Sequence, residues 1–379
     1  MLVIALYTHP GHVLSYVSHL KAINPLVDVT ILTNRPDEYK DMVRQAVKII
    51  VYDVTVDKRI KFQWLRMFAI KHKQIRFFSK FSKKRRYDIV NVHYANKFMP
   101  YVYRYLRTMS DNIVLTPWGS DILRRPRKDM EQLSYLYKKA DYIAASPTSP
   151  VGKTILQEFK VDPKKLVGSF WGAEGIDYII NNENQISQDD AKERFGIVGR
   201  YVITCGYNKL EAQRHKIIIA AIDQVREHLP DNLTLLFPVN YISGRSTYVE
   251  EIEAECKKRN LHAVFVTEFL SGENLYKLRM ATDIFVHVQT TDAFSGSVQE
   301  YILCKKKIVH GSWMKYEVIN DIRPLFYFPV DKLECLGEVI VKAYKSENIS
   351  IPQEVIDYVK GSSWDNKATL MNNFFMTIV

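Results

Sequence analysis

One pattern constrains the fold more than any other: in each half of the 379-residue chain, short apolar segments alternate with amphipathic ones. Segments as short and continuous as Leu2–Tyr7, Asp88–His93 and Leu233–Val239 are typical of strands covered on both faces of a parallel sheet. The segments between them, such as Val13–Lys21 and His215–His228, have the apolar spacing of helices. The alternation predicts an α/β fold with two doubly wound, Rossmann-like domains.

The predicted domain boundaries follow from where this pattern stops and restarts. Residues 1–180 form the first predicted domain and residues 200–351 the second. Residues 181–199 are polar and lack apolar periodicity, so we interpret them as a linker. The helical tail, residues 352–379, is expected to pack back on the first domain. Two such domains predict a central cleft between the carboxyl ends of two sheets, where doubly wound folds bind their ligands.

The sequence lacks the motifs of several common enzyme classes. It has no GxGxxG, GxxxxGK[ST], HExxH or GxSxG segment, and so none of the usual fingerprints of dinucleotide binding, P-loop hydrolysis, zinc proteolysis or serine hydrolysis. Its four cysteines form no CxxC pair, and no two aspartates have DxD spacing, so we expect no bound metal. We also expect no signal peptide and no membrane span, because no segment is long and apolar enough.

The net charge of +11 is concentrated in one segment. Asp57–Arg86 contains twelve Lys or Arg residues and one acid, and the rest of the chain is neutral. A basic helix with one apolar face predicts attachment to an anionic membrane surface. The alternatives are a core-packed helix with a solvated basic face and a nucleic-acid-binding helix, although the second would leave the apolar face unused. The large apolar residues that share this predicted face are Ile60, Trp64, Met67, Phe68, Ile75 and Phe78.

The nonamer Asp292–Glu300 (DAFSGSVQE) carries the strongest chemical signal. It follows the predicted strand Asp283–Val288 and begins a helix. The backbone N–H groups of Ser295, Gly296 and Ser297 would lie at the helix N-terminus, which suits a diphosphate. Glu300 lies about one turn further, where its carboxylate can accept hydrogen bonds from a ribose diol. Asp292 precedes the turn and could reach a sugar hydroxyl. An ordinary helix start with solvated acids is the alternative.

This nonamer resembles the EX7E motif of GT-B glycosyltransferases, notably the family 4 type: an acid, a Phe beside a small residue, and a Glu eight positions after the acid. In that family the first acid contacts the donor sugar and the last binds the ribose, which implies these roles for Asp292 and Glu300. The resemblance implies a GT-B fold, retention of anomeric configuration and a donor site that includes Phe294. Asp292 replaces the usual Glu, and Ser295-Gly296 replaces the usual Gly-Leu.

A second segment resembles the strand, loop and helix that hold the diphosphate in the same family. Tyr201–Gly206 is followed by the basic residues Arg214 and Lys216 at a helix start. The resemblance implies that both side chains bind the diphosphate beside Gly206, and a solvated helix start is the alternative. The second half is also similar to the Fuc4NAc transferases, on the segments Leu236–Tyr241, Thr267–Leu270 and Asp283–Gln289.

Segments of the first half resemble the acceptor domain of the family. His93, at the end of a predicted strand, could orient the sugar or the acceptor, or be a core histidine. Asp121 could bind the acceptor or act as a base, or it could cap a helix. With Asp292, these two are the predicted catalytic residues. The predicted acceptor or cleft residues are Gly11, His12, Trp118 and Glu174, and the segments that carry the resemblance are Asp88–Tyr94, Thr116–Asp121, Ala140–Ser146 and Phe170–Asp177.

These observations favour a metal-independent glycosyltransferase of the hexosyltransferase type, without a cofactor. It would move a sugar from a nucleotide-diphosphate sugar to a lipid-linked or saccharide acceptor in surface polysaccharide or glycolipid synthesis. The basic helix predicts a cytoplasmic location on the inner face of the cell membrane, and no nucleic-acid partner is expected. A sugar-nucleotide epimerase on the same architecture, and a non-catalytic basic protein that binds membrane or RNA, are the alternatives.

Overall fold

Each half of the chain forms a parallel six-stranded sheet in the computed structural model, which describes residues 1–6, 8, 10–54, 61–240, 247–316, 319, 326–347 and 349–379. The chain divides into two compact units. The first contains Met1–Trp171 and Asp365–Val379, and the second contains Gly172–Trp364. The predicted α/β fold with two doubly wound sheets is therefore confirmed.

The first unit orders its strands β3-β2-β1-β4-β5-β6, and all pairings are parallel. Its central strands are buried along their length, whereas the edge strand Lys48–Val51 is partly exposed. The strands are β1 (Leu2–Ala5), β2 (Thr30–Thr33), β3 (Lys48–Val51), β4 (Ile89–His93), β5 (Asn112–Thr116) and β6 (Tyr142–Ile143). The helices are α1 (Pro10–Ile23), α2 (Gln63–Phe81), α3 (Met99–Met109), α4 (Ser120–Leu123), α5 (Arg127–Lys139) and α6 (Pro150–Glu158), with 3-10 segments at Pro36–Gln45 and Pro163–Lys165.

The second unit orders its strands β12-β11-β10-β7-β8-β9, again all parallel. The strands are β7 (Tyr201–Cys205), β8 (Leu233–Pro238), β9 (Ala263–Val266), β10 (Ile284–His287), β11 (Lys307–Gly311) and β12 (Tyr327–Val330). The helices are α7 (Glu174–Asn181), α8 (Gln188–Glu193), α9 (His215–Gln224), α10 (Thr247–Lys258), α11 (Gly272–Met280), α12 (Gly296–Leu303), α13 (Leu336–Lys345) and α14 (Gln353–Lys360), with 3-10 segments at Glu211–Gln213, Arg226–His228 and Leu333–Cys335.

Sequence reasoning did not predict β12. Its sequence, YFPV, contains Pro329, and proline usually argues against a strand because it cannot donate to the hydrogen-bond ladder. Among the described residues, β12 lies at the edge of its sheet and pairs with β11 alone, and edge strands tolerate proline.

The segment predicted as a linker, residues 181–199, lies within the second unit. It contains α8, whose N-cap Ser187 accepts a hydrogen bond from the N–H of Asp190. Ala191 and Ile197 are fully buried, and Lys192 Nζ lies 2.9 Å from Asp283 Oδ2. Ile186 is buried as well, and three buried apolar residues among polar neighbours are too few to give the segment the periodic pattern of a helix or strand.

The C-terminal tail, predicted as residues 352–379, is divided between the two units. Helix α14 belongs to the second unit, where Val355 and Val359 are buried. A last helix, α15 (Trp364–Ile378), belongs to the first unit after its first residue. There the Phe374 ring contacts that of Tyr142, with centroids 5.1 Å apart.

The predicted basic helix lies at α2, and residues 57–60 of the prediction, including Ile60, fall outside the described residues. Its apolar residues do not form one free face. Phe78 is buried, and Met67 and Ile75 are half-buried. Trp64 and Phe68 are 69% and 66% exposed. The C-terminal half of the helix therefore packs into the first unit, as the core-packed alternative expected, while the N-terminal half leaves two large aromatic rings in solvent.

Candidate functional site

Each sheet has a topological switch point, where two neighbouring strands are followed by connections that lead to opposite edges of the sheet. In the second unit this switch point lies between β7 and β10, which pair directly. In the first unit it lies between β1 and β4. In doubly wound folds, ligands bind beyond the carboxyl ends of strands at such points. Both groups of predicted site residues lie at these two places.

The turn between β10 and α12 forms an anion-binding helix start. The backbone N–H groups of Gly296, Ser297 and Val298 begin the helix and have no acceptor among the described residues. Phe294 has a left-handed backbone (φ 66°), and its ring packs 4.7 Å from that of Tyr316. The free N–H groups and the positive end of the helix dipole suit a phosphate group.

Asp292 holds this turn from beneath. Its carboxylate is 7% exposed, and both oxygens already accept hydrogen bonds. Burial alone would raise the pKa of Asp292, but His287, the Tyr316 hydroxyl and the N–H of Ser295 outweigh burial and hold the pKa below its usual range. A contact of Asp292 with the donor sugar thus stays a prediction. In the described geometry, Asp292 positions the turn before α12 through its hydrogen bond from Ser295 N. The donors are Tyr207 OH (3.0 Å) and Gln289 Nε2 (2.7 Å) to Oδ1, and Ser295 N (2.8 Å) and Tyr316 OH (2.5 Å) to Oδ2.

Glu300, the predicted ribose ligand, lies one turn into α12 and is 5% exposed. Its Oε2 accepts hydrogen bonds from Arg279 Nε (2.9 Å) and pairs with Arg279 Nη2 (2.8 Å). The sequence analysis missed Arg279, because nothing in the spacing of α11 connects it to the nonamer. Oε1 has no hydrogen bond to any described residue and faces Gly175 and Gly296.

The predicted basic pair is split by the structure. Arg214 lies at the carboxyl end of the sheet, with its guanidinium 5.1 Å from the Trp313 ring centroid and Nη1 3.3 Å from the Val288 carbonyl oxygen. Lys216 instead forms an exposed ion pair with Glu251 of α10, at 2.5 Å. The structure therefore brings Arg214, but not Lys216, to the switch point.

Between Arg214 and Lys216 lies a residue that the sequence analysis passed over. His215 is fully buried, its Nε2 has no partner among the described residues, and burial lowers its pKa to about 4. Gly206, which ends β7 with φ 65°, lies against it: a Cβ on Gly206 would be 3.1 Å from His215 Nε2 and 2.8 Å from Gln213 Oε1. Only glycine fits both the backbone conformation and this approach.

In the first unit, the residues at the switch point form an aromatic cluster. The rings of Trp118 and Trp171 meet edge to face, with centroids 5.1 Å apart, and His12 lies 5.2 Å from Trp118. His93 contacts Tyr16 at 4.5 Å. Gly11 and His12 belong to the first turn of α1. The structure thus brings together His12, His93 and Trp118, three of the predicted site residues.

The hydrogen bonds around His93 fix its tautomer. Asn91 Nδ2 donates to the carbonyl oxygen of Val114 (3.1 Å), so Asn91 Oδ1 must be the atom that faces His93 Nε2 at 2.7 Å. The His93 Nε2 atom therefore carries the proton. Its Nδ1 presents a lone pair with no partner among the described residues, and burial lowers the pKa of His93 to about 3. His93 is therefore a neutral imidazole in the fold, and its Nδ1 can accept a hydrogen bond but is a weak base.

Two other predicted residues differ from expectation. Asp121 is not the N-cap of a helix from Ile122 onward: it lies inside the short helix α4, and its Oδ1 accepts the N–H of Trp118 at 2.8 Å. Its Oδ2 is buried without a partner among the described residues, and burial raises the pKa of Asp121 to about 6. Glu174, assigned to the first domain, lies in the second unit, exposed at the start of α7.

The replacement of Asp121 by Asn should stabilise the first unit by about 1–3 kcal/mol near neutral pH. Because the pKa of Asp121 is raised in the folded state, the folded chain binds the proton more tightly, and stability falls as the pH rises from about 4 to about 6. Asn keeps the acceptor for Trp118 and carries no charge. Chemical unfolding at about pH 8 and about pH 4 measures the difference, which should vanish at the lower pH.

The matched control is Asp162→Asn. Asp162 is exposed and accepts the N–H of Lys164 at 3.0 Å, so either side chain caps the segment equally well. An equal gain in unfolding free energy at both positions, or a gain at Asp121 that persists at about pH 4, would contradict the interpretation that Asp121 is a buried charge at neutral pH. If Asp121 also acts as a base, Asp121→Asn loses activity while it gains stability.

Among the described residues, no group of three His, Cys, Asp or Glu side chains could hold a metal ion. None of the described helices is long and apolar enough to cross a membrane.

Comparisons with known proteins concern the fold. Residues 4–147 match a family model described as Glycosyl transferase 4-like. No curated protein sequence matches the chain significantly. Among solved structures, the chain is similar to a glycosyltransferase from Rickettsia africae, with 13% identity and a TM-score of 0.71 over 100% of this chain and 97% of that one.

Two further structures are similar over the whole chain. HepE from Anabaena, in complex with UDP and glucose, has 13% identity and a TM-score of 0.62, over 100% of this chain and 97% of that one. The lipopolysaccharide outer core galactosyltransferase WaaB has 12% identity and a TM-score of 0.69, over 100% of both chains. The EX7E type and the similarity to Fuc4NAc transferases stay predictions. The two sheets and their strand orders give this chain the GT-B fold of these glycosyltransferases.

Proposed function

We propose that this protein is a glycosyltransferase that moves a sugar from a nucleotide-diphosphate sugar to an acceptor. The observation that carries the proposal is the start of α12, where three N–H groups lack an acceptor among the described residues and the buried carboxylate of Glu300 follows one turn later. The N–H groups suit a diphosphate, and the carboxylate suits the hydroxyls of a ribose. The GT-B fold supports the same class of donor, because HepE, which has this fold, was crystallised with UDP and glucose.

The arrangement fits departure of a nucleotide diphosphate. As the bond to the sugar breaks, negative charge develops on the phosphate oxygens, and fixed N–H groups and a cation nearby stabilise it. The helix start and Arg214 are the groups placed for this in the second unit. We propose a metal-independent reaction with retention of configuration, in which the donor phosphate takes the acceptor's proton and no protein base is required.

For the acceptor we propose a lipid-linked or saccharide molecule, bound on the first unit beside the aromatic cluster of His12, His93 and Trp118. The support for this is the pair of tryptophans, because tryptophan faces suit the apolar faces of sugar rings. A hexose donor and a role in surface polysaccharide or glycolipid synthesis are supported by the glucose bound to HepE and by the similarity to WaaB, a galactosyltransferase of the lipopolysaccharide outer core.

A thermal-shift panel of UDP, GDP, TDP and CMP, free and sugar-linked, tests the donor site. At a hundred times its dissociation constant, a ligand adds about 2.7 kcal/mol to the unfolding free energy, which raises the melting temperature measurably. We expect a shift with one nucleotide in the wild type and in Glu251→Gln, a surface control in the same unit. Glu300→Gln should lose most of this thermal shift, because an amide oxygen is a weaker acceptor than a carboxylate oxygen and the other carboxylate oxygen becomes an NH2 donor.

Three outcomes would contradict the proposal in different ways. A shift that persists in Glu300→Gln would place the nucleotide elsewhere. Product formed from the sugar nucleotide alone would point to an epimerase. The absence of a shift with every nucleotide would point to a non-catalytic protein.

We also propose that the N-terminal half of α2 attaches the protein to the inner face of the cell membrane. Phe62, Trp64 and Phe68 are 64%, 69% and 66% exposed, and they lie among Lys61, Arg66 and Lys71. Aromatic rings insert at the level of the lipid headgroups, and each base near an anionic surface adds about 1 kcal/mol of attraction.

Co-sedimentation with vesicles checks this attachment. The wild type should bind vesicles that contain anionic lipid far better than neutral ones, and salt should weaken the binding. Trp64→Ser with Phe68→Ser should weaken binding at least about tenfold, because burial of each large apolar side chain contributes up to about 1.5–3 kcal/mol of binding free energy. The matched control is Phe269→Ser, an equally exposed aromatic of the second unit. Equal loss in the control, or none in the double variant, would contradict the proposal.

A further inference from the structure

The two oxygens of the Glu300 carboxylate lie in different surroundings. Oε2 contacts the Arg279 guanidinium through Nε at 2.9 Å and Nη2 at 2.8 Å. The side chains of Arg279 and Glu300 are 4% and 6% exposed, so this ion pair is shielded from water. Arg279 also donates to Ser297 Oγ (3.1 Å) and to Tyr301 OH (3.1 Å). All three guanidinium nitrogens are thus engaged, and the geometry of Oε2 is fixed.

Oε1, in contrast, has no partner among the described residues. It faces two glycines on separate elements: a Cβ on Gly175 of α7 would lie 2.2 Å from it, and a Cβ on Gly296 of α12 would lie 3.7 Å from it. Any side chain at residue 175 would therefore occupy the place of Oε1. Oε1 is not among the fully buried side-chain atoms that lack a partner, so it is open to solvent and to a ligand, close to Gly296, whose N–H also lacks an acceptor among the described residues.

We propose that Arg279 is a positioning residue that holds Oε2 of Glu300 and so aims Oε1, past Gly175, at a hydroxyl of the donor's ribose. This inference rests on the proposed function and adds to it the residues that make ribose recognition work. The division has an electrostatic reason as well. A bare carboxylate one turn below a diphosphate would repel it, whereas the paired guanidinium cancels that charge.

The division of roles makes Arg279 irreplaceable by lysine. An ammonium group is a single point of charge, and it cannot reach Oε2, Ser297 and Tyr301 at the same time as a planar guanidinium does. With lysine at residue 279, Glu300 would keep a counter-charge but lose its fixed orientation. The expected consequence is loss of hydroxyl recognition without loss of diphosphate binding.

Calorimetric titration of the full chain with UDP, GDP, ADP and TDP, each beside its 2′,3′-dideoxy form, tests the inference. A hydrogen bond to a charged group corresponds to a preference of about tenfold or more, which we expect in the wild type for the nucleotide that binds. In Arg279→Lys the preference should fall to about twofold or less, through weaker binding of the hydroxylated form alone. Gly175→Ala should have the same effect with Arg279 intact, since its Cβ would displace Oε1.

The matched control is Arg194→Lys, because Arg194 forms an exposed ion pair with Glu268 in the same unit. It should leave the preference unchanged. Equal weakening of both forms in Arg279→Lys would show a merely structural role and overturn the inference. Nucleotide binding without any preference in the wild type would overturn the inference and leave the proposed function standing. No binding of any nucleotide would overturn both.

Discussion

Replacement of Asp292 by alanine should lower the unfolding free energy of the second unit by about 3–5 kcal/mol, as expected when one partner of a buried charged network is removed. The carboxylate is 7% exposed and accepts four hydrogen bonds. Alanine would remove the acceptor of the Tyr207 hydroxyl and of the Ser295 N–H, and it would leave His287 Nε2, at 3.1 Å, as the remaining polar neighbour of the Tyr316 hydroxyl. Each such buried donor costs about 1–3 kcal/mol before its surroundings relax.

For a unit of this size, the loss corresponds to a fall of roughly 6–20 °C in melting temperature, which calorimetry measures. Asp292→Asn keeps one acceptor oxygen and should lose about half as much. The control is Asp231→Ala: Asp231 is exposed in a turn of the same unit, and its loss should change the unfolding free energy by less than about 0.5 kcal/mol.

The expected effect on donor binding separates two roles of Asp292. If Asp292 positions the turn, Asp292→Asn weakens the binding of free nucleotide diphosphate and of sugar nucleotide alike. The reason is that a weaker hydrogen bond from Ser295 N loosens the helix start that both ligands use. If it touches the sugar instead, the variant weakens the sugar nucleotide alone. An Asp292→Ala variant as stable as the wild type would contradict the positioning role.

Most of the fold follows from short-range pattern. Continuous apolar strands between helices appear in both halves, and the predicted strands Asp88–His93 and Leu233–Val239 differ from β4 and β8 by one residue each. The two failures have a shared cause. The segment 181–199 and the edge strand β12 carry few apolar residues or a proline, and their burial is decided by neighbours distant in sequence.

Residues of the candidate site could be predicted where they belong to one helix start, and could not where the site depends on contacts between elements distant in sequence. The nonamer predicted the helix start and the free N–H groups of Gly296 and Ser297, because a helix N-terminus is a local feature. The prediction was wrong for Ser295, whose N–H donates to Asp292 Oδ2 at 2.8 Å. Arg279 and Gly175 lie on α11 and α7, so their approach to Glu300 is a tertiary fact. Lys216 shows the converse: a helix start predicted a phosphate ligand, and Glu251 on the next helix pairs with it.

Three buried histidines should make the protein lose stability as the pH falls below about 6.5. His93, His215 and His310 are at most 1% exposed. Burial lowers the pKa of His93 to about 3 and that of His215 to about 4, and it holds the pKa of His310 well below its usual value. In the unfolded chain each takes up a proton near pH 6.5. The unfolded state then binds more protons, so stability that is fully present above this pH is lost as the pH falls.

The second unit should respond more steeply than the first. It contains His215 and His310, each worth up to about 1.4 kcal/mol per pH unit, whereas in the first unit the loss at His93 is partly offset by Asp121. Asp121 has a raised pKa, so its protonation between about pH 6 and pH 4 favours the folded state. Hydrogen exchange read by mass spectrometry at about pH 7.5 and about pH 5.5 reports the opening free energy of each unit separately.

His215→Gln should reduce the pH dependence of the second unit by about half, whatever it does to stability at one pH, because one of two titrating groups is gone. The control is His228→Gln, whose side chain is 56% exposed and should leave the pH dependence unchanged. Protection of the second unit that stays constant between about pH 7.5 and pH 5.5 would mean that the folded state takes up protons as readily as the unfolded one. His215 and His310 would then have to be charged inside the fold, and the assignment of His215 as a neutral imidazole beside Gly206 would be wrong.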